Sequence, residues 1–190
     1  MRWRSALVIL ALVSAGPACT GGGGEDMPVC SDLEAQVLVL EAQSVPSATR
    51  LPCVAELPPG WRFGGSLIKD TETTLWLDSD RAGVHALQVT MSASCDISSA
   101  VQVPPAADEV GMTVYQEPES LEPGFAGRRY LVFEGGCIIH EYAFADGTEP
   151  TLVIEADLAI STVARRDIVA QVQDSLDLTL CGAEAPPCVG

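Results

Sequence analysis

The sequence predicts an α+β fold in which a single curved antiparallel β-sheet carries a C-terminal helix packed on one face, the whole stapled by disulfides. Three observations point there. From Trp61 onward the apolar residues alternate with a period of two, in segments separated by short glycine-containing turns, which is the pattern of consecutive antiparallel strands. Ile168, Val169, Val172 and Leu176 recur instead at helical spacing. Six cysteines, Cys30, Cys53, Cys95, Cys137, Cys181 and Cys188, are spread through the segment between them and around it.

The first element is ambiguous. Ser31-Asp32-Leu33-Glu34 has the spacing of a capping box, yet Val37-Leu38-Val39-Leu40 suits a buried strand equally well, and Pro46 and Pro52 then interrupt the pattern. A short helical turn is expected over Cys53 to Leu57, stopped by Pro58-Pro59-Gly60. Strands follow at 61–69, 73–78 and 84–93, the last two joined by the polar hairpin connection Asp78-Ser79-Asp80-Arg81-Ala82-Gly83. Residues 94–111, with Pro104 and Pro105, read as a surface loop. Further strands are expected at 112–117, 128–134, 137–145 and 151–156, with Gly135-Gly136 and Asp146-Gly147 at turns. A helix over about 162–177, capped by Ser161 or Asp157 and ending before Gly182, closes the domain.

The N-terminus carries an address. Arg2 and Arg4, the apolar run Ala6 to Val13, and small residues through Ala18 form the three parts of a signal peptide over residues 1–18. That apolar run falls far short of the roughly 20 residues that span a bilayer. Cys19 follows at once, and Thr20-Gly21-Gly22-Gly23-Gly24-Glu25-Asp26 reads as a flexible tether, so residues 19–29 are assigned to a lipidated Cys19 and its linker. Gly16-x-Ala18 also satisfies an ordinary secretory cleavage, which would release the protein instead. Parity favours the anchor: seven cysteines are odd, and committing Cys19 to lipid leaves six for three disulfides. Spacing favours Cys95 with Cys137, each beside a strand, and lets Cys181 and Cys188 close a small loop; fifteen connectivities remain formally open. Residues 30–190 are read as one globular domain.

Composition excludes some functions. Without Arg2 and Arg4 the 10 basic residues fall to 8, and 8 against 26 acidic residues is a net charge of −18, so nucleic acid is not an expected partner. The chain has no asparagine and hence no N-glycosylation sequon. There is no C-x-x-C, H-E-x-x-H, G-x-S-x-G or phosphate-binding glycine motif, so no metal, no cofactor and no catalytic residue is assigned. Asp78-x-Asp80 with Gly83 faintly resembles a calcium loop, but Ala82 and Val89 stand where ligands are needed, and a plain hairpin turn is preferred.

A weak ligand face is the remaining candidate. Alternation places His140 with Ile138, Tyr142 and Phe144, and His85 with Leu87, Val89 and Met91. If both faces line one pocket, His85, His140 and Glu141 form an acid–base set. Trp61, Trp76 and Tyr130 are candidates for an aromatic binding surface, although a chain with few aromatics needs most of them inside.

Several segments look familiar together: Ser44 to Thr49 running into Leu51-Pro52-Cys53, Leu57-Pro58-Pro59-Gly60-Trp61, Trp76 to Gly83, Cys95-Asp96, and Tyr130 to Cys137. Across about residues 44–145 the chain resembles the extracytoplasmic domain of uncharacterised actinobacterial cell-envelope proteins. The resemblance implies an envelope location and no activity. The expectation is therefore a non-enzymatic envelope lipoprotein, a binding or structural module whose partner is an unknown envelope component and whose only membrane contact is its lipid. Two alternatives stand beside it, an extracytoplasmic enzyme using His85, His140 and Glu141, and an acidic surface that binds cations.

Overall fold

The computed structural model describes residues 27–120 and 123–188, so the signal peptide, Cys19 and most of the tether lie outside the described residues. In chain order the elements are α1 (Gln36–Ser44), β1 (Arg50–Val54), β2 (Trp61–Lys69), β3 (Glu72–Ser79), β4 (Gly83–Ser92), β5 (Val101–Val103), β6 (Thr113–Ser120), β7 (Ala126–Phe133), β8 (Gly136–Ala143), α2 (Leu152–Ala159), β9 (Ile160–Ala164) and α3 (Arg165–Leu176). Seven strands form one antiparallel sheet in the order β2-β3-β4-β8-β7-β6-β5. Two meanders, β2-β3-β4 and β5-β6-β7-β8, thus meet along a central seam where Leu87 faces Tyr142, Val89 faces His140 and Met91 faces Ile138.

Period-two alternation sends one row of side chains to each face. Leu75, Leu77, Leu87, Val89, Met91, Val114, Leu131 and Ile138 fill the inner face and are buried. α1 packs over β1, β2 and β3, and α3 lies against α1 and β9. Ile168 and Val172 of the anticipated α3 stripe join Leu38 and Ala42 of α1 in the same buried cluster as the sheet residues. The α+β class and the helix layer are as expected, whereas the sheet is not alone: β1 and β9 pair antiparallel as a separate two-stranded ribbon, Leu51 opposite Val163.

Three local corrections follow, the first two from that ribbon. Residues 53–57 form no helical turn, because Arg50 to Val54 extend as β1. The segment 160–164 is strand rather than the start of the last helix, since Ile160-Ser-Thr-Val-Ala supplies the β-branched partner that β1 needs. Residues 152–159 are helical where 151–156 are expected as a strand: Leu152, Ala156 and Ala159 are buried at one-turn spacing, a period masked in the sequence by the exposed apolar Ile154 and Leu158. Within 94–111, β5 adds a short edge strand. The first element resolves as a helix that begins at Gln36, and the Ser31 capping box does not form, Ala35 standing at the N-cap. Pro28 and Val29 already belong to the fold, for Val54 N–H donates to the Pro28 carbonyl at 2.6 Å and Val29 bridges Val54.

The three disulfides are Cys30–Cys53, Cys95–Cys137 and Cys181–Cys188. Bonds of this kind belong to an oxidising compartment outside the cytoplasm. Cys30–Cys53 fixes the N-terminal segment to β1. Cys95–Cys137 pins the strand-exit after β4 to β8, on the face opposite the helices, since Cys137 alternates with inward Ile138. Their sequence separations are 23, 42 and 7 residues. Chain-entropy reasoning then predicts that pairwise Cys→Ser removal destabilises most for Cys95–Cys137 and least for Cys181–Cys188, the two differing by about 1.5 kcal/mol. Urea-unfolding midpoints of the three double variants check that order. No helix among the described residues is long and apolar enough to cross a membrane.

Candidate functional site

His140 is where the sheet and α2 meet. β8 carries it to the inner face, between Val89 of β4 and Arg129 of β7. It is 4% exposed. Its Nδ1 lies 3.1 Å from Asp157 Oδ1, and the Tyr142 hydroxyl donates to the same oxygen. Burial works against ionisation of Asp157, but the hydrogen bond and charge of His140, the hydrogen bond from Tyr142 and the charge of Arg129 outweigh it and hold its pKa below the usual carboxylate value. Burial, reinforced by Asp157, pushes the Tyr142 hydroxyl well up, so Tyr142 stays a donor. An anionic Asp157 accepts from the imidazole, which places a proton on Nδ1.

The other ring nitrogen has no partner. Nε2 of His140 is buried and makes no hydrogen bond. An unmet buried polar atom costs about 1–3 kcal/mol and calls for an explanation. His140 lines a cleft of about 190 Å³ whose walls are β7, β8, α2, the start of β9 and the loop before β6. Met112, Leu131 and Ile160 give it an apolar floor. Ile154 and Leu158, one turn apart on α2 and 64% and 68% exposed, give it an apolar mouth. Arg129 is neutralised within the wall, because Glu109 receives its Nη2 at 2.7 and 2.8 Å and its Nε at 3.2 Å. A second hollow of about 310 Å³, on the other side of Arg129 and Tyr142 beneath Phe125 and Val153, holds no unpartnered buried side chain.

The other anticipated residues do not join this site. Glu141 points to the outer face, where its Oε1 accepts from Arg128 at 3.1 Å. His85 is exposed, left-handed at φ 52° and stacked on Trp76 with ring centroids 5.4 Å apart. Its expected place beside Leu87 is lost because the hairpin end of β4 departs from regular alternation at a bulge opposite Leu77 and Ser79. With Val89 opposite His140, His85 stands four residues along β4, roughly 13 Å away at ~3.3 Å per residue. The trio His85, His140 and Glu141 is therefore not assembled. Nor do the tryptophans share a surface: Trp61 is core, its Nε1 donating to Glu155 Oε2 at 3.0 Å, while Trp76 on the outer face donates to Gln88 at 2.8 Å. Tyr130 is buried with its hydroxyl on Glu117 at 2.8 Å.

Asp78 and Asp80 are likewise spent locally. The Asp78 carboxylate accepts from His85 N–H at 2.7 Å and pairs with Arg62 at 3.0 Å, which builds the hairpin rather than a cation loop. Among the described residues no group of three or more His, Cys, Asp or Glu side chains could hold a metal ion. Sequence reasoning missed Asp157, Glu109 and Arg129 as site residues. Asp157 was read only as a possible helix cap, and no motif links any of the three to His140. Comparison with protein-family models, with curated proteins and with solved structures gives no match to this chain.

Proposed function

We propose that the protein is an exported, lipid-anchored envelope protein whose disulfide-bonded domain works as a binding module, with the His140 cleft as its binding site. The observation that carries the reading is a cleft of about 190 Å³ with an apolar mouth, walled in part by a His140 that Asp157 orients. The anchor on Cys19 rests on the signal peptide, the glycine tether and the even six cysteines that pair within the domain. The resemblance over residues 44–145 supports the same location.

Two experiments test the two halves. Mass spectrometry of the mature N-terminus is expected to show acylated Cys19, with Cys19→Ala moving the protein from the membrane to the soluble fraction; an unmodified thiol defeats the anchor. Denaturing extraction of protein purified from envelopes is expected to release a small molecule that the His140→Leu protein does not carry. Identical extracts from both would defeat the binding module.

A second reading has one observation in its favour. An imidazole oriented through Nδ1 by a carboxylate is the arrangement of a general base, so an extracytoplasmic enzyme would use His140 with Asp157 rather than with His85 and Glu141. Turnover that disappears in both His140→Gln and Asp157→Asn would favour it over simple binding.

A further inference from the structure

We infer that the apolar rim formed by Ile154, Leu158 and Val110 is a docking surface for the bilayer that holds the anchor, and that the domain lies against the membrane on it; this rests on the Cys19 anchor proposed above. Ile154 and Leu158 stand one turn apart on α2 and are 64% and 68% exposed. Val110, 70% exposed, sits in the turn that Met112 N–H closes on the Glu109 carbonyl at 3.0 Å. Glu109 and Met112 line the same cleft as Ile154 and Leu158, so Val110 belongs to the same rim. An exposed helix face is ordinarily charged and a turn ordinarily polar. Here two separate segments bring apolar side chains to one edge, unlike apolar residues scattered singly over a surface.

The place where the chain enters the domain identifies what covers this rim. Val54 N–H donates to the Pro28 carbonyl at 2.6 Å, Val29 bridges Val54, and Val54 stands opposite Ile160 across the β1–β9 ribbon. The entering segment is thus separated by β1 alone from the junction of α2 and β9, about 10 Å at two strand spacings, and Leu158 comes two residues before Ile160. Cys30–Cys53 clamps the entry point to β1. Cys19 and Met27 are 27 − 19 = 8 residues apart, a span of at most ~28 Å. An acylated Cys19 therefore keeps this end of the domain within ~30 Å of the bilayer. At the effective concentration such a short link imposes, three apolar side chains dock a domain that they would not hold from solution.

Charge narrows the occupant further. A net charge of 8 − 26 = −18 on the mature chain opposes both a second copy and an anionic membrane surface. The arginines that reach this end are occupied: Arg129 by Glu109, Arg81 by Glu155 and Arg50 by the Val110 carbonyl at 2.9 Å. Contact is made by apolar side chains entering an uncharged interface, and basic residues do not draw the domain down. With the domain docked, the cleft opens onto the bilayer.

The mature chain supplies its own test. Six of its seven cysteines are paired, so Cys19 is the thiol that couples to a maleimide-headgroup lipid in phosphatidylcholine vesicles, with the natural tether in place. Quenching by phosphatidylcholine brominated near the top of one chain is read for Leu158→Trp and for Leu67→Trp, an exposed position on the outer face of β2, after subtraction of the native tryptophan signal. Leu158→Trp is expected to be quenched and Leu67→Trp to match the protein in vesicles without bromine. Adding Ile154→Asp and Val110→Asp, both at exposed positions, should weaken docking by at least about 100-fold, roughly 10-fold for each apolar side chain withdrawn, and remove the quenching at unchanged Tm. Replacing part of the lipid with phosphatidylglycerol should lower it.

Equal quenching at the two positions, or none at Leu158→Trp, would overturn the docking surface. Stronger quenching in phosphatidylglycerol would overturn the apolar contact as its cause. A dimer of the uncoupled chain in sedimentation that Ile154→Asp with Val110→Asp dissolves would give the rim to a second copy and overturn it as well. Because coupling at Cys19 is chemical, none of these results bears on acylation in the cell, which the mass of the mature N-terminus decides separately.

Discussion

Replacing Glu41 with glutamine is expected to stabilise the protein strongly at alkaline pH and to change it little in acid. Glu41 sits on the core face of α1, 1% exposed, and its Oε2 has no hydrogen-bond partner. Burial alone pushes its pKa up to about 8 from an ordinary 4.5, with no cation close enough to offset it. The folded protein keeps this proton over a window in which the unfolded chain has already lost it. Stability from this group is thus complete below about pH 4.5 and declines as pH rises to about 8, beyond which it changes no further. At 1.36 kcal/mol per unit the decline totals about 5 kcal/mol. Glutamine keeps the shape and removes the proton, so urea midpoints of the variant should stay flat where those of the native protein fall. Parallel curves from pH 5 to 8 would show that Glu41 is solvated or paired.

Arg165→Met should have the opposite sign. The guanidinium of Arg165 is fully buried where β9 becomes α3, and it donates to the Ala42 carbonyl at 2.5 Å and to the Cys181 carbonyl at 2.6 Å. Ala42 lies in the last turn of α1, whose carbonyls have no intrahelical donor, so a cation there meets both a bonding need and the negative end of the helix dipole. One side chain therefore holds α1, α3 and the C-terminal disulfide loop together. Methionine fills most of the space but leaves two carbonyls buried and unmet, for an expected loss of roughly 3–5 kcal/mol, or about 10 °C in Tm. Arg166→Met, on the exposed neighbour, should cost under ~0.5 kcal/mol. Equal Tm values for the two variants would remove Arg165 from this role.

How far the fold was legible depended on whether a segment's period showed through. β2, β3, β4, β7 and β8 announce themselves by period-two alternation of apolar residues between short turns, and Ile138, His140, Tyr142 and Phe144 fall on the inner row as alternation requires. α2 was hidden because Ile154 and Leu158 remain apolar where a helix normally turns polar, and those two side chains are the mouth of the cleft. β1 and β9 were hidden because each is short and finds its reason only in the other, more than a hundred residues away. His140 was legible as a position and not as a site. Its partners come from a helix read as a strand and a loop read as surface, so only the folded chain brings Asp157 and Glu109 to the same wall.

The central seam also sets a timetable. Each meander can zip from hairpins between sequence neighbours, but β4 meets β8 only after the intervening chain has closed on itself, the slow kind of contact in folding. Cys95 and Cys137 flank that seam, 42 residues apart, so their thiols come within reach when β8 docks and not before. In an oxidising compartment, oxidation of this pair would act as a ratchet that makes strand docking hard to reverse. Premature oxidation to Cys30 or Cys53 would instead trap the two halves of the sheet apart.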